Sequence, residues 1–300
     1  MFDLIIVGGG PAGVAAANYA RARGMETALF EKDRIGGLIS LTTVVSHYPG
    51  LDSDESGQSF SKKLEEQLKL NGTKIIYEEV IDLELDSDIK RVKTNNGSYE
   101  AKSLILATGS QPKIPEVDEN EEYKIRPNSF ELIDKVEGRE VFVLGGSDGA
   151  CKEAISLSNK ASKVHIVQIQ DKLITISEFR EQIKRNPKFE IHLNSELKSI
   201  EVENGEIVKV VLKNDLTEEL KIFEKGPYNI CAYIGQNPNN QLFKDKIKMK
   251  DGFIDSDGVK TNIDGVFSCG DINAKEVRQI ATAVSDGTIA GIEAFKWVNN

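Results

Sequence analysis

The chain has 300 residues, more than the roughly 100–200 of one ordinary domain, so two domains are expected. It is 39% hydrophobic and 29% charged with only 8 prolines, which excludes a disordered, collagen-like or disulfide-stapled chain. Its 38 basic and 48 acidic side chains leave a formal net charge of -10, so there is no electrostatic basis for binding nucleic acid or an anionic membrane.

The first element is Leu4-Ile5-Ile6-Val7, an apolar run ending at Gly8-Gly9-Gly10; lacking a basic leader and a cleavage site, it reads as a strand and not a signal peptide. Pro11 to Arg23 has the alanine-rich pattern of a helix packed closely on a sheet, and Thr27 to Phe30 is a second strand. An amphipathic helix follows with Phe60, Leu64 and Leu68 on one face. Strand-like segments come next at 74–83, 90–94 and 98–102, the last two joined by the hairpin signal Asn96-Gly97. Leu104-Ile105-Leu106-Ala107 and Thr108-Gly109 close the section.

The same order then recurs. Glu140 to Leu144 is a strand, Gly145-Gly146-Ser147-Asp148-Gly149-Ala150 a glycine-rich turn, Cys151 to Asn159 a helix and Val164 to Val167 a strand. Further strand-like pieces lie near 189–193, 197–203, 207–213 and 218–223, and Ile230 to Gly235 ends the unit as 104–109 ended the first. Two dinucleotide-fold units are therefore expected in an internal repeat. Residues 241–300, with a strand at Gly265 to Cys269 and a long final helix from near Glu276, are too few to fold alone. The prediction is an α/β chain of two Rossmann-like, three-layer ββα domains, the second inserted into the first: 1–112 plus 241–300, and 113–240. No apolar stretch approaches the ~18–20 residues that cross a bilayer.

Gly8-x-Gly10-x-x-Gly13 follows a strand and opens a helix, and Glu31 ends the next strand. Gly8 permits the tight turn, Gly10 lets a pyrophosphate reach bare backbone and Gly13 allows close helix packing. The helix N-terminus faces the phosphates, and the Glu31 carboxylate can accept hydrogen bonds from a ribose diol.

Together with Gly36-Gly37 leading into Thr42-Thr43, Tyr48-Pro49-Gly50, Ala107-Thr108-Gly109 and Gly265 through Gly270-Asp271 to Arg278-Gln279, these blocks resemble the low-molecular-weight thioredoxin reductase family over nearly the whole chain. The resemblance implies an FAD domain and a homodimer. It assigns cofactor contacts to Gly8, Gly10, Pro11, Ala12 and Gly13, to Glu31 and Lys32, and to Gly36, Gly37, Leu38, Thr42 and His47 along the isoalloxazine. It also assigns contacts to Ala107, Thr108, Gly109 and Gly270, implies that Asp271 binds the ribityl chain, and implies that Arg278, Gln279 and Ile280 present backbone at the pyrimidine edge, where a helix N-terminus suits developing negative charge.

Two family features are missing. The only cysteines are Cys151, Cys231 and Cys269, with no CxxC; along the family spacing the dithiol positions fall on Asn128 and Glu131. Such cysteine usage fits a reducing, cytoplasmic setting. The thiols read as small buried hydrophobes, with Cys269, next to Gly270-Asp271, the one catalytic candidate. In the second glycine turn Ser147 stands where a pyrophosphate needs bare backbone, Asp148 adds negative charge, and the family's NADPH arginines are replaced by Gln168-Ile169-Gln170 and Ile174. NAD(P)H use is therefore not expected.

Loss of the arginines resembles the ferredoxin-dependent flavin thioredoxin reductases of anaerobic bacteria, which implies ferredoxin or another small redox protein as donor. Lys62-Lys63 and Lys244 to Lys250 are the basic segments that could steer an acidic carrier. His47, His165 and His192 have no metal-ligand spacing, so no metal is expected. The leading reading is an FAD-dependent oxidoreductase whose flavin is the redox centre. The alternatives are a disulfide reductase without its own dithiol, and a non-catalytic FAD-binding regulatory module.

Overall fold

The structure is a computed structural model and describes residues 1–117, 125–126 and 129–300. The chain divides into two compact units, Met1–Gln111 with Asn237–Asn300, and Pro112–Gln236.

The first unit opens with β1 (Phe2–Val7), α1 (Pro11–Arg21) and β2 (Thr27–Phe30), a parallel βαβ in which Leu4 faces Thr27 and Val7 faces Phe30. After a single 3-10 turn at Gly37–Leu41 comes α2 (Gly57–Leu70), capped by Ser56, whose hydroxyl accepts the Ser59 N–H. Phe60, Leu64 and Leu68 are its buried face, as their spacing predicts. Strands β3 (Lys74–Ile76), β4 (Val80–Glu84), β5 (Lys90–Thr94) and β6 (Ser98–Leu106) follow, then the short β7 (Ser110–Pro112).

Strand β6 merges two pieces that the sequence reads separately. Ser98 to Ala101 pair with β5 in the antiparallel hairpin closed by Asn96-Gly97, and Ala101 to Leu106 run parallel to β1. Sheet order is β3-β2-β1-β6-β5-β4.

In the second unit β8 (Glu140–Leu144), α3 (Asp148–Ser158) and β9 (Lys163–Val167) repeat the opening βαβ. Helix α4 (Ser177–Arg185) then leads to β10 (Phe189–His192), β11 (Ser195–Glu203), β12 (Glu206–Asn214) and β13 (Leu220–Ala232), in the order β10-β9-β8-β13-β12-β11. Strands β10, β9, β8 and β13 are parallel and β13, β12 and β11 antiparallel, so the alternation of the first unit recurs.

The chain returns to the first unit through β14 (Gln236–Pro238), β15 (Met249–Lys250) and β16 (Phe253–Ile254). Strand β17 (Val266–Ser268) adds to the second half of β6, and α5 (Ile280–Asn299) completes the unit. Helix α5 lies close on α1 because Gly287 and Gly291 allow it: a Cβ there would stand 2.0 Å from Ala12 O and 2.6 Å from Ala16 O. Among the described residues no helix is long and apolar enough to cross a membrane.

Candidate functional site

The three glycines of the first turn each meet the need that their spacing implies. Gly8 has φ 112°, and a Cβ there would lie 2.2 Å from Ala107 O, so the Ala107-Thr108-Gly109 turn sits directly on it. A Cβ at Gly13 would lie 2.0 Å from Gly8 O, whereas one at Gly10 would meet no protein atom within 4 Å. The open volume is therefore at the N-cap of α1, which is Gly10 with Pro11 next to it and no side chain capping the end. Unspent N–H groups and the positive end of the helix dipole face that volume.

Glu31 is tied to the turn through Oε2, which accepts the Gly9 N–H at 2.8 Å, while Oε1 accepts the Asp33 N–H of its own loop at 2.9 Å. Each carboxylate oxygen retains a second lone-pair direction for a sugar hydroxyl. Lys32 points outward to Glu79 at 3.3 Å. The Gly36-Gly37 loop reaches the same turn, with the Gly36 N–H donating to Gly9 O at 2.8 Å and a Gly37 Cβ position 3.7 Å from Gly10 Cα. Leu38 lies half-buried in the 3-10 turn, and Thr42 ends it with Oγ1 donating to Ile39 O at 2.8 Å. His47 is exposed, with φ 60°. Thr108 Oγ1 donates to Asn239 O and the Asn239 side-chain amide donates back to Thr108 O, both at 2.8 Å.

The Gly270-Asp271 turn meets α1 from the other side. Gly270 has φ 82°, and a Cβ there would stand 2.8 Å from Ala12 Cβ. The Gly270 N–H donates to Asp286 Oδ2 at 3.1 Å, and Lys275 pairs with the same oxygen at 2.8 Å. Asp286 thus pins the turn from α5, a role the sequence does not reveal.

Two buried polar atoms test whether a polar cofactor fits here. Asp271 Oδ1 and Arg278 Nε are buried and find no hydrogen-bond partner among the described residues. Burial raises the Asp271 carboxyl above its ordinary pKa, against the pull of Lys275 and Arg278. An orphaned buried acceptor costs about 1–3 kcal/mol, which a ligand hydroxyl would offset. The residues present fit a bound FAD, because the α1 N-terminus offers donors to a diphosphate and Asp271 Oδ1 offers a hydroxyl an acceptor that has no partner among the described residues. Asp271→Ala is expected to lower flavin occupancy of the purified protein at least about tenfold, about 1.4 kcal/mol, as read from the ratio of flavin to protein absorbance; full occupancy would remove Asp271 from the contact set.

At Arg278, Gln279 and Ile280 the structure corrects the expected helix start. Helix α5 begins at Ile280, not near Glu276, because Gln279 is its N-cap and forms a reciprocal capping box with Thr282. The Gln279 N–H is consequently bound to Thr282 Oγ1 at 3.1 Å. Arg278 lays its guanidinium 4.0 Å from the Phe253 ring centre and bonds Asn273 O at 3.4 Å.

The second unit repeats the turn with different contents. Gly145 has φ 116° and a Cβ there would lie 2.4 Å from Tyr233 O, matching the relation of Gly8 to Ala107. Ser147 occupies the N-cap of α3. Asp148 Oδ1 accepts from Thr175 Oγ1 at 2.9 Å and from the Ile176 N–H at 2.8 Å, fixing the segment before α4. That segment lies against the turn, since Ile174 bridges Ser147 and the Gln168 and Leu173 side chains reach within about 3.0 Å of a Gly146 Cβ position. Ile169 and Ile174 are 63% and 52% exposed.

Of the two dithiol positions, Asn128 lies outside the described residues, and Glu131 pairs with Arg126 at 2.9 Å. Between them Ser129 donates its N–H to Tyr233 Oη at 2.8 Å and its hydroxyl to the buried Glu153 at 2.5 Å. All three cysteines are free and buried. Burial pushes the Cys151 thiol up to about 11 and raises Cys231 and Cys269 further, so none supplies a thiolate at neutral pH.

Comparison with known proteins agrees with this geometry. The family model for pyridine nucleotide-disulphide oxidoreductases matches residues 2–287. A thioredoxin reductase of Peptoclostridium acidaminophilum is 37% identical over 307 residues, 99% of this chain and 97% of its own. A 34.2 kDa protein in a rubredoxin operon of Clostridium pasteurianum is 34% identical, over 99% of this chain and 97% of its own. The crystal structure of Lactococcus lactis thioredoxin reductase matches with a TM-score of 0.95 at 32% identity, covering 100% of this chain and 99% of that one. The chain therefore belongs to the pyridine nucleotide-disulphide oxidoreductase family, as a flavin-dependent oxidoreductase of the thioredoxin-reductase-like kind.

Proposed function

We propose that this chain is a cytoplasmic, homodimeric FAD oxidoreductase whose flavin is its sole redox group and whose electrons come from a small carrier such as ferredoxin, not from NADPH. The observation that carries the flavin site is the buried Asp271 Oδ1, without a hydrogen-bond partner among the described residues, on the turn whose Gly270 packs against Ala12 of α1. When bound, FAD supplies reversible electron acceptance at its isoalloxazine. The α1 amides hold the diphosphate, Glu31 accepts from the adenosine ribose, and Asp271 orients the ribityl chain.

The donor assignment rests on the second turn. A 2′-phosphate needs charge-assisted donors, and Ile169 and Ile174 offer exposed hydrocarbon at the family's arginine positions. The side chain of Ser147 stands at the position that should be bare glycine, and Gln168 and Leu173 crowd Gly146. The Clostridium pasteurianum relative, named for its place in a rubredoxin operon, fits a setting of small iron carriers. Half of the lysines in the basic segments are paired, Lys63 to Glu55, Lys246 to Asp82 and Lys248 to Asp255, which weakens long-range steering of an acidic carrier.

Anaerobic titration with NADPH, NADH and chemically reduced ferredoxin separates the donors. Ferredoxin is expected to bleach the flavin, with both nicotinamides at least about 100-fold slower, a barrier difference of about 2.7 kcal/mol. Rapid bleaching by NADPH overturns the donor assignment.

The names of the relatives favour a second reading, a disulfide reductase acting on a thioredoxin-like partner without its own dithiol. Replacing Cys151, Cys231 and Cys269 together with serine tests it: turnover within about twofold of the parent is expected, since three buried thiols with raised pKa values are not nucleophiles. Abolished turnover in a folded, yellow variant assigns the chemistry to a thiol instead.

A further inference from the structure

The spacing of the histidines suggests no metal motif, yet the second unit brings two of them together with a carboxylate. Strands β9 and β10 are parallel neighbours, with Glu190 opposite His165 and His192 opposite Val167. His165 Nδ1 lies 3.1 Å from His192 Nε2, and Glu190 oxygens lie 3.9 Å and 3.7 Å from those two nitrogens. The ligand atoms of the three residues all fall within 4.8 Å of one another.

The third strand orients the pair. Glu140 of β8 places Oε2 2.9 Å from His165 Nε2, so that nitrogen donates its proton and the Nδ1 lone pair points toward His192. A carboxylate behind a ring nitrogen is the outer-shell arrangement that fixes the tautomer of metal-binding histidines. Phe142 stacks on His165 at 4.4 Å and Phe223 packs edge-on at 4.9 Å, holding the ring in place.

We propose that His165, His192 and Glu190 bind one divalent transition cation of the zinc class, with Glu140 as the positioning residue. Two nitrogens 3.1 Å apart can both lie about 2.0–2.1 Å from one zinc ion at an angle near tetrahedral. Two imidazoles with one carboxylate select zinc, cobalt or nickel over magnesium or calcium. Glu190 is 28% exposed while His165 is fully buried, so the fourth position opens beside the carboxylate and takes water. Without the cation Glu190 is neutralised by Lys163 and Lys221, and binding exchanges ammonium contacts for the metal. His192 shifts its proton from Nε2 to Nδ1 as its lone pair turns to the cation, so neither imidazole loses a net proton.

The test uses the full-length flavin-loaded protein, stripped with a chelator and titrated with zinc chloride by calorimetry, with X-ray absorption at the zinc edge. One zinc per chain is expected, with a nitrogen and oxygen first shell and a raised Tm. Glu140→Gln should weaken binding about 10–100-fold while leaving the Tm without zinc near the parent value. His192→Gln should weaken it at least about 100-fold, two nitrogen ligands becoming one. If His192→Gln does not fold, the partly exposed Glu190→Gln replaces it in the comparison. Less than one zinc per chain, or affinity unchanged by these substitutions, overturns the proposal.

Discussion

Gly13→Val is expected to give a colourless, destabilised protein. A Cβ at this position would stand 2.0 Å from Gly8 O and 3.4 Å from Ala107 Cβ, inside the turn that sets α1 on the sheet. Helix and turn must part, at the upper end of the about 1–3 kcal/mol typical of overpacking, and the amides aimed at the diphosphate move with them. Gly10→Val separates packing from binding, because its Cβ would meet no protein atom within 4 Å. That variant should keep its Tm without flavin within about 2 °C, a change of at most about 1 kcal/mol, yet lose FAD at least about tenfold. Thermal melts and flavin-to-protein absorbance ratios check both. A yellow Gly10→Val protein with parental occupancy would move the diphosphate away from this turn.

Building a phosphate grip into the second turn is expected to create NADPH reactivity. Ile169→Arg, Gln170→Arg and Ile174→Arg, combined with Ser147→Gly, restore cationic donors and bare backbone. All three arginine positions are exposed, so each substitution should change stability by no more than about 0.5 kcal/mol. A charge-assisted hydrogen bond contributes about 1.5–3 kcal/mol, so even one well-formed contact raises nucleotide affinity tenfold or more. Stopped-flow reduction at sub-saturating NADPH should accelerate at least about 100-fold over the parent. An unchanged slow rate would locate the obstacle in the packing of Gln168 and Leu173 on Gly146.

The repeat was legible because glycine carries its own steric record. Gly8 and Gly145 both adopt φ above 110° and both press on the carbonyl that ends a neighbouring strand, as the glycine spacing after an apolar run implies. Helix α2 was legible through the three-and-four spacing of Phe60, Leu64 and Leu68. The start of α5 was not, since Val277 and Arg278 carry no breaker and only the reciprocal Gln279 and Thr282 bonds decide it. Helix α4 carries only a weak signal in Phe179 and Ile183, with acid at its start and base at its end, and the sequence reading places no element there.

At the site, residues adjacent in sequence were easier to read than residues adjacent only in space. The Glu31 spacing suggests a ribose partner, but its bond to the Gly9 amide comes from bringing the end of β2 against the turn. Asp148 is legible as a charge in the turn, but its bonds to Thr175 and Ile176, which fix the segment before α4, are visible only in the fold. The His165, His192 and Glu190 cluster depends on the parallel register of β9 and β10, which no local spacing encodes.

Flavin content is the most direct measure of the whole account. Protein refolded or purified with excess FAD, then denatured and its released cofactor identified by chromatography, should yield one FAD per chain, with crystallographic density running from the α1 N-terminus to Asp271. A colourless chain that takes up no FAD, or density for another molecule in that cleft, would contradict it.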